Sequence, residues 1–381
     1  MTIAVSSSGP RTITERFLRL NWGIITLMCA LAFIGVLMHF SVSSGAWTDM
    51  PLKHATRFLV ILAIVIVGAV FLDARFWLVI AYPLYAVGVL LLVGVELFGE
   101  TRMGATRWLS IGPMSLQPSE VMKIAIVLAL ARYYHALDPR RTAAMVSVIP
   151  PLIMIAIPVA LVMHQPDLGT SMLIAIAGVA IMFLAGLMWR LIVPAFVLAS
   201  AGAVFAYNYV LHGYQRDRID VFLGLEEDPL GEGYHVLQSK IAIGSAGLFG
   251  RGYLHGTQSQ LDFLPEKHTD FIFTMIVEEF GLLGGLLVLA LYAGLMALAM
   301  QVALKARSLF GKLAAAGVAA TLASYVFINT AMVIGLAPVV GIPLPMISFG
   351  GTAMVTLMVG FMIVLSVDLH RDQAGARGLL W

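Results

Sequence analysis

Long apolar runs recur along this chain near residues 22–43, 55–73, 77–98, 119–137, 145–163, 168–187, 190–211, 270–303, 312–337 and 347–367. Each approaches or exceeds the ~20 residues that an α-helix needs to cross a hydrocarbon core, and the eighth is long enough to tilt or to continue past the bilayer. The pattern predicts an all-α polytopic membrane protein of about ten transmembrane helices, forming a single membrane domain over residues 1–381. One interruption stands out. Residues 212–269 are mostly polar and form one large loop, which ends in Phe263-Leu-Pro-Glu-Lys-His-Thr-Asp270 before an apolar run resumes. A carboxylate is thereby set where an aqueous loop meets the membrane, a natural place for chemistry on a molecule held in lipid.

Composition agrees: 60% of the 381 residues are hydrophobic and 12% charged, against roughly 25% charged in soluble domains. A net charge of +2 gives no reason to expect nucleic acid. Cys29 is the single cysteine, so no intrachain disulfide can form, and it reads as a small buried hydrophobe. Pro150, Pro151 and Pro158 in the fifth run, and Pro338, Pro343 and Pro345 before the tenth, predict kinks or irregular backbone buried in protein.

Lys and Arg set the orientation. Of 23 such residues, 13 fall on the amino-terminal side, among them Arg11, Arg16, Arg19, Arg140, Arg141, Lys305 and Lys312. The short connections therefore predict both termini in the cytoplasm, with the 212–269 loop outside.

Several polar residues need a reason to be where they are. Segment 100–123 carries Arg102, Arg107, Trp108 and two prolines and reads as a loop dipping toward the outer face, with Ser119 as the cap of the fourth span. Arg102 and Arg107 are either interfacial anchors or guanidinium forks for a phosphorylated head group. Glu120 and Lys123, three apart on one helical face, are either a packing ion pair or part of a substrate cavity. Asp167, in His164-Gln-Pro-Asp-Leu-Gly-Thr170, either caps the sixth span or adds a polar contact to substrate. Residues 231–244 suggest a short amphipathic helix on the bilayer surface, in which Gln238 and Lys240 either touch substrate or form its solvated face. The loop carboxylates Asp217, Asp220, Glu226, Glu227 and Asp228 fit no metal-loop spacing. Asp270 is either a plain helix-start charge or a general base tuned by cations such as Lys267 and Arg102. Glu278 and Glu279, about 12 to 13 Å further along the helix, read as packing contacts or a second polar layer. Gly281, Gly284 and Gly285 permit close approach of a partner helix.

Phe263-Leu-Pro-Glu-Lys-His-Thr-Asp-Phe-Ile-Phe273, Gln165-Pro-Asp-Leu-Gly-Thr170, Gln117-Pro-Ser-Glu-Val-Met-Lys123 and Pro343-Leu-Pro-Met-Ile-Ser-Phe-Gly-Gly351 together resemble the SEDS family of shape, elongation, division and sporulation proteins, over residues 20–370. Tyr234-His-Val-Leu-Gln-Ser-Lys-Ile-Ala-Ile-Gly244 looks more like the elongation branch than the division branch. Met346-Ile-Ser-Phe349 and Ser245-Ala-Gly247 are mild departures that affect only local backbone shape.

The resemblance implies a ten-helix peptidoglycan glycosyltransferase of the inner membrane that polymerises lipid II on its outer face with loss of undecaprenyl pyrophosphate. It also implies a class B penicillin-binding protein as transpeptidase partner, alongside other elongation-complex membrane proteins. Asp270 matches the family's essential loop aspartate, and Glu120 with Lys123 its fourth-helix pair. Arg102, Arg107, Asp167, Gln238, Lys240, Lys267 and His268 are the further substrate-binding candidates. A divalent metal, Mg or Mn, is the only cofactor candidate, with no site assigned. Two rival classes are a lipid-linked precursor flippase and a noncatalytic scaffold. Against the first, the polar residues cluster at one face instead of in paired halves. The second predicts that Asp270 is dispensable.

Overall fold

A computed structural model describes residues 12–371 apart from 103–104, 112–113, 139–146, 187–201, 203–206, 210–212, 226–231, 261–263 and 265. Backbone polar groups in lipid must pair within their own segment, and the apolar runs accordingly become helices. A short α1 (Ile13–Leu18) precedes α2 (Trp22–Val42), α3 (Asp49–Phe71) and α4 (Ala74–Phe98), followed by α5 (Pro118–Ala136), α6 (Ile149–His164) and α7 (Leu168–Leu184). Beyond lie α8 (Gly213–Leu223), α9 (Glu232–Ser245), the single turn α10 (Thr257–Gln260), α11 (Ile272–Lys305), α12 (Leu309–Val333) and α13 (Gly351–Leu369). Nine of the ten expected spans correspond to described helices, and the seventh, 190–211, lies almost wholly outside the described residues.

Helix ends follow side-chain chemistry. Asn21, Asp73, Asp167 and Ser308 each accept from the backbone N–H three residues on, satisfying a donor that the first turn leaves unpaired. Ser119 does not do so for α5. Pro118 opens that helix, where its missing N–H costs nothing, so the cap falls at Gln117, two residues earlier, and Ser119 is buried inside the first turn. Pro150 and Pro151 likewise start α6 instead of bending it, while Pro158 lies within α6 and Pro83 within α4. The expectation of irregular buried backbone holds for the strap at 334–350, which links α12 to α13 and carries Pro338, Pro343 and Pro345.

Segment 100–116 differs from the loop expected. It forms a three-stranded antiparallel meander of β1 (Glu100–Arg102), β2 (Ala105–Ile111) and β3 (Met114–Leu116), with Glu100 opposite Trp108 and Leu109 opposite Leu116. Thr101, Thr106, Trp108 and Ile111 are good strand formers, but three-residue strands are too short to show alternation in the sequence.

Two helices form the centre. The most apolar stretches of α12 and α13 are each 78% buried, against 28% and 22% for those of α3 and α4, so the former pair is packed in protein and the latter faces lipid. α12 lies between α11, α5, α7 and α13, and α11 also packs on α2.

α11 spans 34 residues but is not one straight rod, because Gly281 has a φ of +71°. Gly250, at φ +78°, comes so close to the Glu279 carbonyl and the Gly281 nitrogen that a side chain on either glycine would strike backbone. Only glycine adopts such a conformation without strain. The loop before α10 is therefore stitched into the break, with Arg251 N–H donating to the Glu278 carbonyl at 2.9 Å and Leu282 N–H to the Gly247 carbonyl at 3.0 Å. Glu278 and Glu279 are 0% and 1% exposed. Glu278 accepts from Gln258 N–H at 2.9 Å, and Glu279 accepts from the Ser41 hydroxyl. They form a second polar layer, one of the two roles the sequence allowed.

Candidate functional site

Distant parts of the sequence converge on a cavity of about 220 Å³. β2 contributes Arg107 and Trp108, the start of α5 Glu120 and Lys123, the turn into α7 Asp167 and Thr170, α12 Tyr325, and the strap Gly341, Ile342 and Pro343. Lys123 is 1% exposed, and its Nζ donates to Glu120 Oε1 at 2.7 Å and to the Tyr325 hydroxyl. The same Nζ stands 4.7 Å from the Tyr325 ring centroid, and Tyr325 Oη donates to Glu120 Oε2 at 3.5 Å. Burying two charges is tolerated when their remaining hydrogen-bonding positions are filled, and Tyr325 helps to fill them.

Asp167 caps α7 with one oxygen and turns the other to the cavity. Oδ1 caps α7 by accepting from Thr170 N–H at 3.1 Å. Oδ2 faces the cavity, where it accepts from Gln117 Nε2 at 3.3 Å and lies 3.7 Å from Arg107 Nε. Arg107 also donates to the Pro166 carbonyl at 2.6 Å. It is therefore a fixed part of the wall and not a loose interfacial anchor. The two cations and two carboxylates of the lining balance, so its side chains give the cavity no net charge.

Asp270 is at the edge of this cavity. A methyl group on Gly341 would lie 3.6 Å from Asp270 Oδ2. Asp270 lies one residue before Phe271, the capping residue of α11, and supplies no side-chain cap, so its place just ahead of the first turn is compatible with a helix-start charge as well as with a base at the cavity edge. The residues before it form a tight turn, with Thr269 and Phe271 N–H groups donating to the Glu266 carbonyl at 3.2 and 3.3 Å.

Other candidates separate from this centre. Lys240 is exposed, and its stem lies across Gly335, bordering a second cavity of about 190 Å³ with Arg218 and Phe222. Gln238 is half-buried two residues before Lys240 on α9, which packs on α11 and α12 through Ser239, the latter bonded to Thr274 at 2.6 Å and to the Val333 carbonyl at 2.7 Å. Lys267 and His268 are half-buried in the turn before α11, outside the lining of either cavity. Arg102 lies in β1, and its side chain is outside the described residues, as are Glu226, Glu227 and Asp228. Among the described residues, no three His, Cys, Asp or Glu side chains gather as a metal cage. The cavity carboxylates are already engaged, so these residues do not by themselves fit a divalent ion.

Burial pushes the His268 imidazole below its usual range, opposed by the nearby Glu266 carboxylate and reinforced by Lys267. With the folded-state value depressed, the unfolded chain binds the extra proton first. The stability His268 contributes is therefore present above an unfolded value of about 6.5 and is lost as pH falls from there through the depressed folded value. Thermal denaturation in detergent should show a midpoint that drops on acidification from pH 7, and His268→Gln should flatten that drop. An unchanged slope would remove the turn as its source.

Tyr325 and Asn329 were not singled out from the sequence. The available signal was two polar side chains four residues apart, hence on one face, within an apolar run.

The arrangement has known counterparts. A family model described as FtsW/RodA/SpoVE cell cycle protein matches residues 21–373. The peptidoglycan glycosyltransferase MrdB of Escherichia coli K12 is 48% identical over 296 residues, covering 76% of this chain and 77% of that protein. The peptidoglycan glycosyltransferase RodA of Treponema pallidum is 31% identical over 362 residues, covering 76% and 82% respectively. Among solved structures, a chain from a peptidoglycan synthase complex that coordinates polymerization and crosslinking superposes with a TM-score of 0.80 at 29% identity, covering 93% of this chain and 99% of that one. The rod shape determining protein RodA of Thermus thermophilus gives 0.69 at 27% identity, covering 93% and 98%. With the helical membrane fold, the ordered motifs and a family match over nearly the whole length in agreement, the chain belongs to the FtsW/RodA/SpoVE family of cell cycle proteins.

Proposed function

We propose that this chain polymerises lipid II, with Asp270 as the general base. The chain is a peptidoglycan glycosyltransferase of the RodA type, acting in cell elongation. The observation that carries the mechanism is the placement of the Asp270 carboxylate beside Gly341, at the edge of the cavity that holds Lys123 and Arg107.

Joining two lipid-linked disaccharides requires a proton to leave an acceptor sugar hydroxyl while polyprenyl pyrophosphate leaves the donor's anomeric carbon. Asp270 takes the proton. Pyrophosphate is already a good leaving group, so a second carboxylate acting as acid is not demanded. Lys123, Arg107 and the Tyr325 hydroxyl supply fixed donors for the charge that develops on it. Direct attack on an α-linked donor inverts to a β-1,4 bond. A divalent ion, if used, would arrive with the pyrophosphate, and no step above depends on it. Extension of fluorescent lipid II by purified protein in detergent tests the proposal, and absence of polymer with active partner present would refute it.

The active face is placed outside the cytoplasm and both termini inside, on the Lys and Arg distribution. Ser308 caps α12, so the reporter on the inner side belongs at the exposed Lys305. With Cys29 changed to Ser, an impermeant thiol reagent on spheroplasts should label Ser259→Cys and spare Lys305→Cys. The reverse pattern would invert the topology.

A class B penicillin-binding protein is the expected transpeptidase partner, its single membrane helix lying on the outer half of α11. Of the glycines suggested for this contact, Gly281 receives the 247–250 loop and Gly285 is buried against Val277, while Gly284 is half-buried but a side chain there would strike Phe280 of the same helix, so substituting it would not report on the partner alone. Leu283 and Leu287, four apart, are 51% and 57% exposed. Changing both to Ala should weaken co-purification without loss of insertion, and unchanged recovery would move the contact elsewhere.

A further inference from the structure

Three successive carbonyls in the turn behind Asp270 are each held by a donor from the last third of the chain. The His268 carbonyl accepts from Phe349 N–H at 2.8 Å, the Thr269 carbonyl from Ser348 Oγ at 2.6 Å, and the Asp270 carbonyl from Asn329 Nδ2 at 2.7 Å. Resting on the reading of Asp270 as base, we propose that Asn329 and Ser348 are positioning residues that fix the Asp270 carboxylate at the cavity edge by gripping the backbone of its turn.

Asn329 is 0% exposed, and its amide bridges two walls of the site. The second Nδ2 hydrogen goes to the Ile342 carbonyl at 2.7 Å, and Ile342 lines the cavity next to Gly341, on which a methyl group would lie 3.6 Å from the Asp270 carboxylate. Both acceptors are carbonyl oxygens, so the NH₂ end must face them. One planar amide thus sets the distance between the base's own backbone and the strap opposite. A carboxylate in its place would offer acceptors to acceptors, and an aliphatic residue would offer nothing.

Ser348 is 2% exposed and does the equivalent one residue earlier. While donating to Thr269, its Oγ accepts from Leu344 N–H at 2.8 Å. The strap is itself held from behind, by Tyr292 donating to the Pro345 carbonyl at 2.6 Å and by His54 Nε2 at 2.9 Å from the Met346 carbonyl. The grip is therefore on a fixed body. Neither Asn329 nor Ser348 lines the cavity, so their loss should displace the base without removing a substrate contact.

A displacement of about 1 Å costs on the order of 10²-fold in rate, so Asn329→Ala should lower kcat for lipid II polymerisation by roughly 10- to 100-fold with KM nearly unchanged. In an Asp270→Asn background the same substitution should cost little more, because no base remains to misplace; coupling of this size is what a double-mutant cycle isolates. Equal losses in both backgrounds would show that Asn329 acts independently of Asp270 and would overturn the proposal, as would full kcat in the single variant. Should Asn329→Ala not be recovered folded, the cycle is run with Ser348→Ala, where Ser348→Thr, which keeps the hydroxyl, should restore the rate. A fully active Asp270→Asn would instead refute the base assignment, a result distinguishable from either outcome.

Discussion

Asp270→Asn should abolish most lipid II polymerisation while leaving the protein folded, inserted and able to bind its partner. The substitution keeps size and hydrogen bonding and removes only the basic oxygen, and general-base contributions are typically 10²- to 10⁴-fold. The substitution leaves the tie to Asn329 intact, since that is made through the Asp270 carbonyl, and it removes no side-chain cap from α11. Asp270→Glu should recover little, because its longer arm carries the carboxylate past the position set by the turn and attack geometry tolerates only small errors. Measured on purified protein with fluorescent lipid II, a near wild-type rate for Asp270→Asn would return the residue to an ordinary surface charge.

The second large effect is expected at Lys123 and Glu120. Removing either partner alone strands a buried charge, which often costs about 3 to 5 kcal/mol, so Glu120→Gln and Lys123→Met should both lower the thermal midpoint in detergent. The combined exchange Glu120→Lys with Lys123→Glu restores opposite charges three residues apart, and Tyr325 can donate to a carboxylate at either position. Much of the stability should return. Activity should not, because the exchange moves the fixed cation from position 123 to position 120 in the cavity wall, and losing one preorganised donor costs about 10²- to 10³-fold. Full activity in the exchanged protein would reduce the pair to a packing device.

What could be read in advance divides along physical lines. Lipid allows few backbone solutions, so run lengths were enough to place α2, α4, α7 and α11 near their observed limits. Charges are costly in apolar surroundings, which made Glu120 and Lys123 visible as residues needing a reason. The meander at 100–116 was missed because its short strands are defined by pairing with one another, a non-local property. That Lys240 borders a second cavity could not be read in advance for a similar reason: its position in sequence, within the 212–269 loop, says nothing of which side of α9 faces the strap. Asn329 and Ser348 escaped notice because their role depends on what lies opposite them, 59 and 79 residues away.

The break at Gly281 divides α11 into limbs of unequal length. The longer limb, 282–305, is ~36 Å long at 1.5 Å per residue and by itself covers a core of about 30 Å. The shorter limb, 272–280, is then surplus to spanning and goes with the loop stitched into the break. Glu278 and Glu279 lie at its end, buried in protein, where Ser41, Thr257 and the loop backbone donate to them in place of water. A straight helix of the same sequence would have had to thicken the membrane or tilt steeply to keep Asp270 above it.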